Sequence, residues 1–124
     1  MTFLTDNALD SGLSYLTTNG SRMDICSQEP ANYTEATSTY TLGNKTSVTT
    51  GSPTNGDTSG RKVTIAAVTG GSVTGTGTAS HWAYTKTTAT TELLAANSLA
   101  SSQAVTSGNT WSMAAVDIES PDPA

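Results

Sequence analysis

Residues 71–118 read GSVTGTGTASHWAYTKTTATTELLAANSLASSQAVTSGNTWSMAAVDI. Thr, Ser, Gly and Ala dominate the stretch, and Lys86, Glu92 and Asp117 are its only acidic or basic residues besides His81. Thr branches at Cβ and fits a pleated, half-buried surface. Many Thr, few charges and short Gly or Ser breaks predict short β-strands joined by tight turns. In a strand over residues 73–85, Ala79, His81, Ala83 and Thr85 share one face. Ser80, Trp82 and Tyr84 share the other. Gly75 and Gly77 inside it predict a bulge, a bend or a close backbone approach. Residues 92–99 continue as a strand, although Leu93, Leu94, Ala95 and Ala96 alone also suit a helix. Ser101-Ser102 and Ser107-Gly108-Asn109 have turn chemistry. Residues 110–118 form the last strand, with Trp111, Met113 and Ala115 alternating against Ser112, Ala114 and Val116.

Working outward, residues 61–68 alternate clearly: Val63, Ile65 and Ala67 against Lys62, Thr64 and Ala66. Residues 45–50 read as a strand, and residues 51–60 (GSPTNGDTSG) as a flexible loop. Met23 and Ile25 flank Asp24 in a short strand that Pro30 ends. Residues 31–43 suit either a helical turn or an ordered loop. Leu9, Leu13 and Leu16 fall on one helical face and predict a helix over residues 6–18. Asp6 is its expected N-cap, with Phe3 or Leu4 stapling the first turn. Asn19-Gly20 stops it. These elements predict a mainly β chain: an antiparallel β-sandwich or barrel of six or seven short strands with one N-terminal helix. Residues 1–118 form a single domain, and residues 119–124 (ESPDPA) a tail that a partner orders.

The chain has 124 residues and a net charge of −5, which argues against a phosphate-binding surface and so against nucleic acid. Arg22, Lys45, Arg61, Lys62 and Lys86 are scattered. Thr and Ser make up roughly a third of the residues, a composition that often means disorder. The patterned apolar residues and the aromatic residues inside the patterned segments argue for a fold instead. Cys26 is the only cysteine, so it forms no intramolecular disulfide and reads as a small buried residue. No stretch approaches the ~18 apolar residues of a membrane span. No basic region precedes an apolar one at the N-terminus, which predicts use without export. The sequons at Asn32 and Asn44 carry little weight without a secretory signal.

Catalytic chemistry finds little support. His81 is the only histidine, and a Ser-His-acid site can be drawn from Ser80, His81 and Asp117. Neighbouring residues of a strand point to opposite faces, which predicts that Ser80 does not reach His81. The acids are dispersed, and one Cys with one His does not make a zinc site. Gly70 to Gly77 resembles a phosphate loop in composition only, without GK[ST] or a following helix. No catalytic, cofactor-binding or metal-ligating residue is expected. Trp82, Tyr84 and Trp111, with His81, are expected to anchor the core or a subunit interface. A sugar-stacking platform is the alternative.

Several segments together resemble a family of small bacteriophage virion proteins. They are ALDSGLSYL (8–16), RMDICSQEPANYTEATSTYTLG (22–43), GRKVTIAAV (60–68), GTASHWAYT (77–85) and ELLAANSLASSQAVTSGNTWSM (92–113), followed by the tail with Pro121 and Pro123. The resemblance implies a structural role without enzymatic residues, most of all a capsid decoration (cement) protein on the phage head surface. It implies the major capsid protein or other virion proteins as partners, a homo-oligomer that is commonly a trimer, and synthesis in the host cytoplasm without membrane or nucleic acid. A tail, neck or fibre component is the alternative, and a carbohydrate-binding module on the virion a third. The N-terminal residues, the 51–60 loop and the tail are the expected contact arms.

Overall fold

The computed structural model describes residues 5–121. They form a mainly β fold with one N-terminal helix, a curled six-stranded antiparallel sheet and a small second sheet. The order along the chain is α1 (Asp6–Asn19), β1 (Arg22–Cys26), a π-helical turn (Glu35–Thr39), β2 (Thr41–Thr46), β3 (Thr54–Asn55), β4 (Arg61–Ile65), β5 (Val68–Val73), β6 (Gly77–Lys86), β7 (Glu92–Val105), β8 (Thr110–Met113) and β9 (Val116–Ser120). The large sheet runs β7-β6-β1-β2-β5-β8 and the small one β3-β4-β9. The described residues thus hold nine strands where six or seven were expected.

Helix α1 buries Leu9, Leu13 and Leu16, as their spacing demands. Its N-cap is Thr5, whose Oγ1 accepts the Ala8 N–H at 3.3 Å, and not Asp6. Asp6 lies one residue inside, where its charge meets the positive end of the helix dipole. The expected staple residues Phe3 and Leu4 lie outside the described residues. Gly20 ends the helix in an extended conformation. It is glycine for space: any Cβ there would strike the Tyr84 ring.

The core lies between the concave face of the large sheet, the small sheet and α1. Met23, Ile25, Val63, Ile65, Val68, Val73, Trp82, Tyr84 and Trp111 fill it with Leu13 and Leu16. β1 is central and buried on both faces. Asp24 and Cys26 point away from this core and are covered by the turn Glu35–Thr39, which settles the ambiguous 31–43 segment. Asp24 accepts Arg22 Nε at 2.7 Å and Thr41 Oγ1 at 2.6 Å. Arg22 and Cys26 also reach the Thr37 and Ala36 carbonyls of the turn. Asn32 Oδ1 accepts the Glu35 N–H, and Glu35 Oε1 accepts the Ala31 N–H, a reciprocal cap that starts the turn.

Several boundaries differ from the sequence reading. The strand expected over 45–50 lies at Thr41–Thr46 and stops at Ser47, whose φ is 60°. The 51–60 loop contains β3, hairpinned onto Arg61 and Lys62. The run 73–85 breaks between β5 and β6, where the Thr74 and Gly75 N–H groups both bond the Leu42 carbonyl. β7 extends past residue 99 to Val105, and Ser101-Ser102 lies in an irregularity of the ladder instead of a turn. The run 110–118 is two strands in different sheets, split at Ala114-Ala115. The apolar phase slips there: Met113 is followed at the core by Val116, three residues on. β9 continues through Glu119 and Ser120, past the expected start of the tail.

Candidate assembly surfaces

The three aromatic anchors are interior. Tyr84, Trp82 and Trp111 expose 0%, 4% and 8% of their surface, so they form no open stacking platform. Tyr84 donates to the Val48 carbonyl at 2.8 Å and accepts from Thr50 Oγ1 at 2.9 Å. Burial raises the pKa of its phenol above the ordinary value. The Trp111 indole pairs across the ladder with Gly71 and lies over Gly43 of the next strand, where a Cβ would crowd it. Its Nε1–H has no hydrogen-bond partner.

His81 is half-buried, and its Nδ1 lies 2.8 Å from Ser80 Oγ. The expectation that Ser80 cannot reach His81 is therefore wrong. The β6–β7 ladder is irregular at this point: Ala79 pairs with Gln103, yet His81 pairs with Ser98. Such a bulge breaks strand alternation. Ala79 and Trp82 accordingly both face the main core, three residues apart. Asp117 does not join them. It sits in β9, with its oxygens on Thr64 Oγ1 at 2.7 Å and Lys62 Nζ at 3.1 Å. Those two partners hold its pKa below the ordinary carboxylate value.

One surface gathers around Arg61 at the start of β4. Its guanidinium bonds Asp10 of α1 at 2.8 Å, Asn55 at 2.7 Å and the Pro53 carbonyl at 3.3 Å. Asp6 lies 4.0 Å away. Gly60, at φ 68°, packs so closely on Ser120 and Pro121 that a Cβ would collide with their backbone. Asp57 N–H bonds Glu119 at 2.7 Å, and Lys62 bridges Asp57 and Asp117. The start of α1, the 51–60 loop and the exposed Pro121 at the head of the tail thus meet at one place. Pro123 lies outside the described residues. Their convergence was not legible in the sequence, because ion pairs between distant segments leave no periodic signal.

The second surface is the outer edge of β7. This strand of 14 residues is hydrogen-bonded to β6 on one side and, among the described residues, to no strand on the other. Residues 93–116 carry no acidic or basic side chain at all. Residues 100–104 are exposed in succession, so both faces of the strand meet solvent there. Beyond Val105 the chain turns into β8, and the two strands splay. A cleft of about 380 Å³ lies between them, lined by residues including Gln103, Thr106, Asn109 and Trp111. Tyr15 of α1 closes the other end, donating to Glu92 at 2.7 Å.

No family model matches the chain, and neither does a curated protein or a solved structure. Among the described residues no group of three or more His, Cys, Asp or Glu is placed to hold a metal ion. No helix among them is long and apolar enough to cross a membrane.

Proposed function

We propose that the chain is a structural component of a bacteriophage particle, a capsid decoration protein that attaches to the head shell and stabilises it. The observation that carries this reading is the convergence around Arg61. The first turns of α1, the 51–60 loop and the end of β9 with Pro121 meet there on one side of the β core, held by ion pairs and main-chain contacts; residues 1–4 and 122–124 of the expected arms lie outside the described residues. A small domain that adds to an assembled shell needs such a footing: several chain segments presented together, with polar groups for a hydrogen-bonded rim. The resemblance of the core-forming segments to small phage virion proteins supports the choice of particle.

The test is a particle measurement. Purified virions are expected to carry the chain in hundreds of copies, and particles lacking it to lose genome at lower temperature. A copy number near a dozen would move the chain to the tail or neck. Equal heat resistance with and without it would remove the stabilising role. Exchanging the 51–60 loop for a Gly-Ser linker is expected to abolish binding to bare shells.

A further inference from the structure

We propose that β7 pairs with β7 of a second copy, antiparallel, about a two-fold axis at Asn97. An open strand edge presents a row of unpaired N–H and C=O groups, and natural proteins blunt such edges with charge, proline or brevity. β7 has neither charge nor proline after Glu92 and is the longest strand described. Its straight run is 95–98, which pairs with Tyr84, Ala83, Trp82 and His81 without a break. The ladder is irregular on both sides of that run, at Leu94 and across residues 99–102. The regular edge available for docking is therefore Ala-Ala-Asn-Ser, whose small side chains allow close approach.

The occupant follows from comparing edges. The other open edges belong to β3, β8 and β9, with 2, 4 and 5 residues. β8 faces the cleft beside β7 in its own chain, and β9 carries Asp117 and Glu119. β8 equals the regular run of β7 in length and neutrality, but its Thr110, Trp111 and Ser112 line the cleft in its own chain, whereas residues 95–98 do not, which leaves β7 as its own mate. An antiparallel strand is self-complementary under a two-fold axis, since each donor meets the acceptor of its mate. Charge points the same way. The chain carries −5, so most faces would set acid against acid on self-association. With the axis at Asn97, Ala96 comes opposite Ser98 of the second copy, and the two Glu92 residues lie at opposite ends of the pair. The inference does not rest on shell binding, which uses the surface around Arg61.

Sedimentation of the full chain at neutral pH, from low micromolar to near-millimolar concentration, tests it. A monomer–dimer equilibrium is expected. The double substitution Asn97→Lys/Ser98→Lys, at two exposed positions, is expected to weaken the dimer at least about tenfold, since lysines at the pairing edge must be desolvated. Ala66→Lys/Ala67→Lys adds the same charge in the exposed β4–β5 link and is expected to leave the dimer intact. A monomer throughout, a trimer, or a dimer indifferent to the β7 change overturns the proposal. Hydrogen exchange of the unsubstituted chain reads the same contact without mutation. The amides within residues 95–98 that point away from β6 must gain protection as concentration rises, and constant protection also overturns it. A monomer that still coats shells would sink this inference and leave the decoration reading standing.

Discussion

Tyr84 shows how much of this fold depends on single atoms. Its hydroxyl is buried between a donor, Thr50, and an acceptor, the Val48 carbonyl. Tyr84→Phe removes the group that satisfies both and leaves two polar partners in the core. A loss of about 2 kcal/mol is expected in urea unfolding, with no change of fold. Cys26 gives a second expectation. Burial, reinforced by the nearby Asp24 charge, pushes its thiol up to about 12. The thiolate is then scarce at pH 8, and alkylation of the native chain should be at least about a hundredfold slower than in denaturant. Equal rates would mean the turn Glu35–Thr39 does not cover it. Burial of Cys26 was expected from its residue type and burial of the aromatic anchors from the scarcity of other large apolar side chains, while the second core that Cys26 enters, opposite Met23 and Ile25, left no sign in the alternation. The Ser80–His81 contact was not, because a bulge is decided by how the neighbouring strand pairs.

At the scale of elements, the β4–β9 ladder is tied by the polar row of Lys62, Thr64 and Asp117. Asp117 has a lowered pKa, so its charged form is favoured in the folded state. Its contribution is complete above the unfolded carboxylate value of about 3.9 and is lost as pH falls through the lower folded value. The drop in melting temperature below pH 4 should therefore be smaller in Asp117→Asn. Arg22 is a stronger case. Asp24 is fully buried, and Arg22→Met would leave its carboxylate with Thr41 alone among side chains. A loss of about 3 kcal/mol is expected by denaturant titration. Helix α1 was legible because its period is long and regular; the strand expected over 61–68 was legible only to Ile65, since Ala66 and Ala67, which mark neither face strongly, form an exposed link before β5. The split at Ala114-Ala115 was not. Two strands in different sheets can follow one another with the alternation slipped by a single residue, and alanine marks neither face strongly. The long run of β7 was cut short in the reading because Ser suits turns, whereas here it lies in an irregular ladder.

For the molecule as a whole, both sheets and the helix share one core, and Trp82 and Trp111 belong to it. Tryptophan fluorescence and far-ultraviolet circular dichroism should then report a single coincident unfolding transition. Two separated transitions would mean that the sheets fold independently. The two candidate surfaces were hidden from the sequence for different reasons. The Arg61 cluster joins segments far apart in the chain, while the neutrality of β7 was visible but its open edge was a matter of strand order.

That strand order also governs how the chain is made. β1 sits between β2 and β6, and its core residues Met23 and Ile25 need Tyr84 and Trp82 opposite them. Translation at ~5–20 residues per second separates these partners by several seconds. During that interval the nascent β1–β2 hairpin has a bare apolar face and an unpaired edge where β6 belongs. The slow closure of distant strands makes this the period of greatest exposure to wrong partners. The stretch between the two strands already carries Val48, Val63, Ile65, Val68 and Val73 of the final core, so these side chains are made before β6 and are the first to meet the open face. The strand order that centres the finished sheet on β1 therefore also gives that strand the longest wait for its second neighbour.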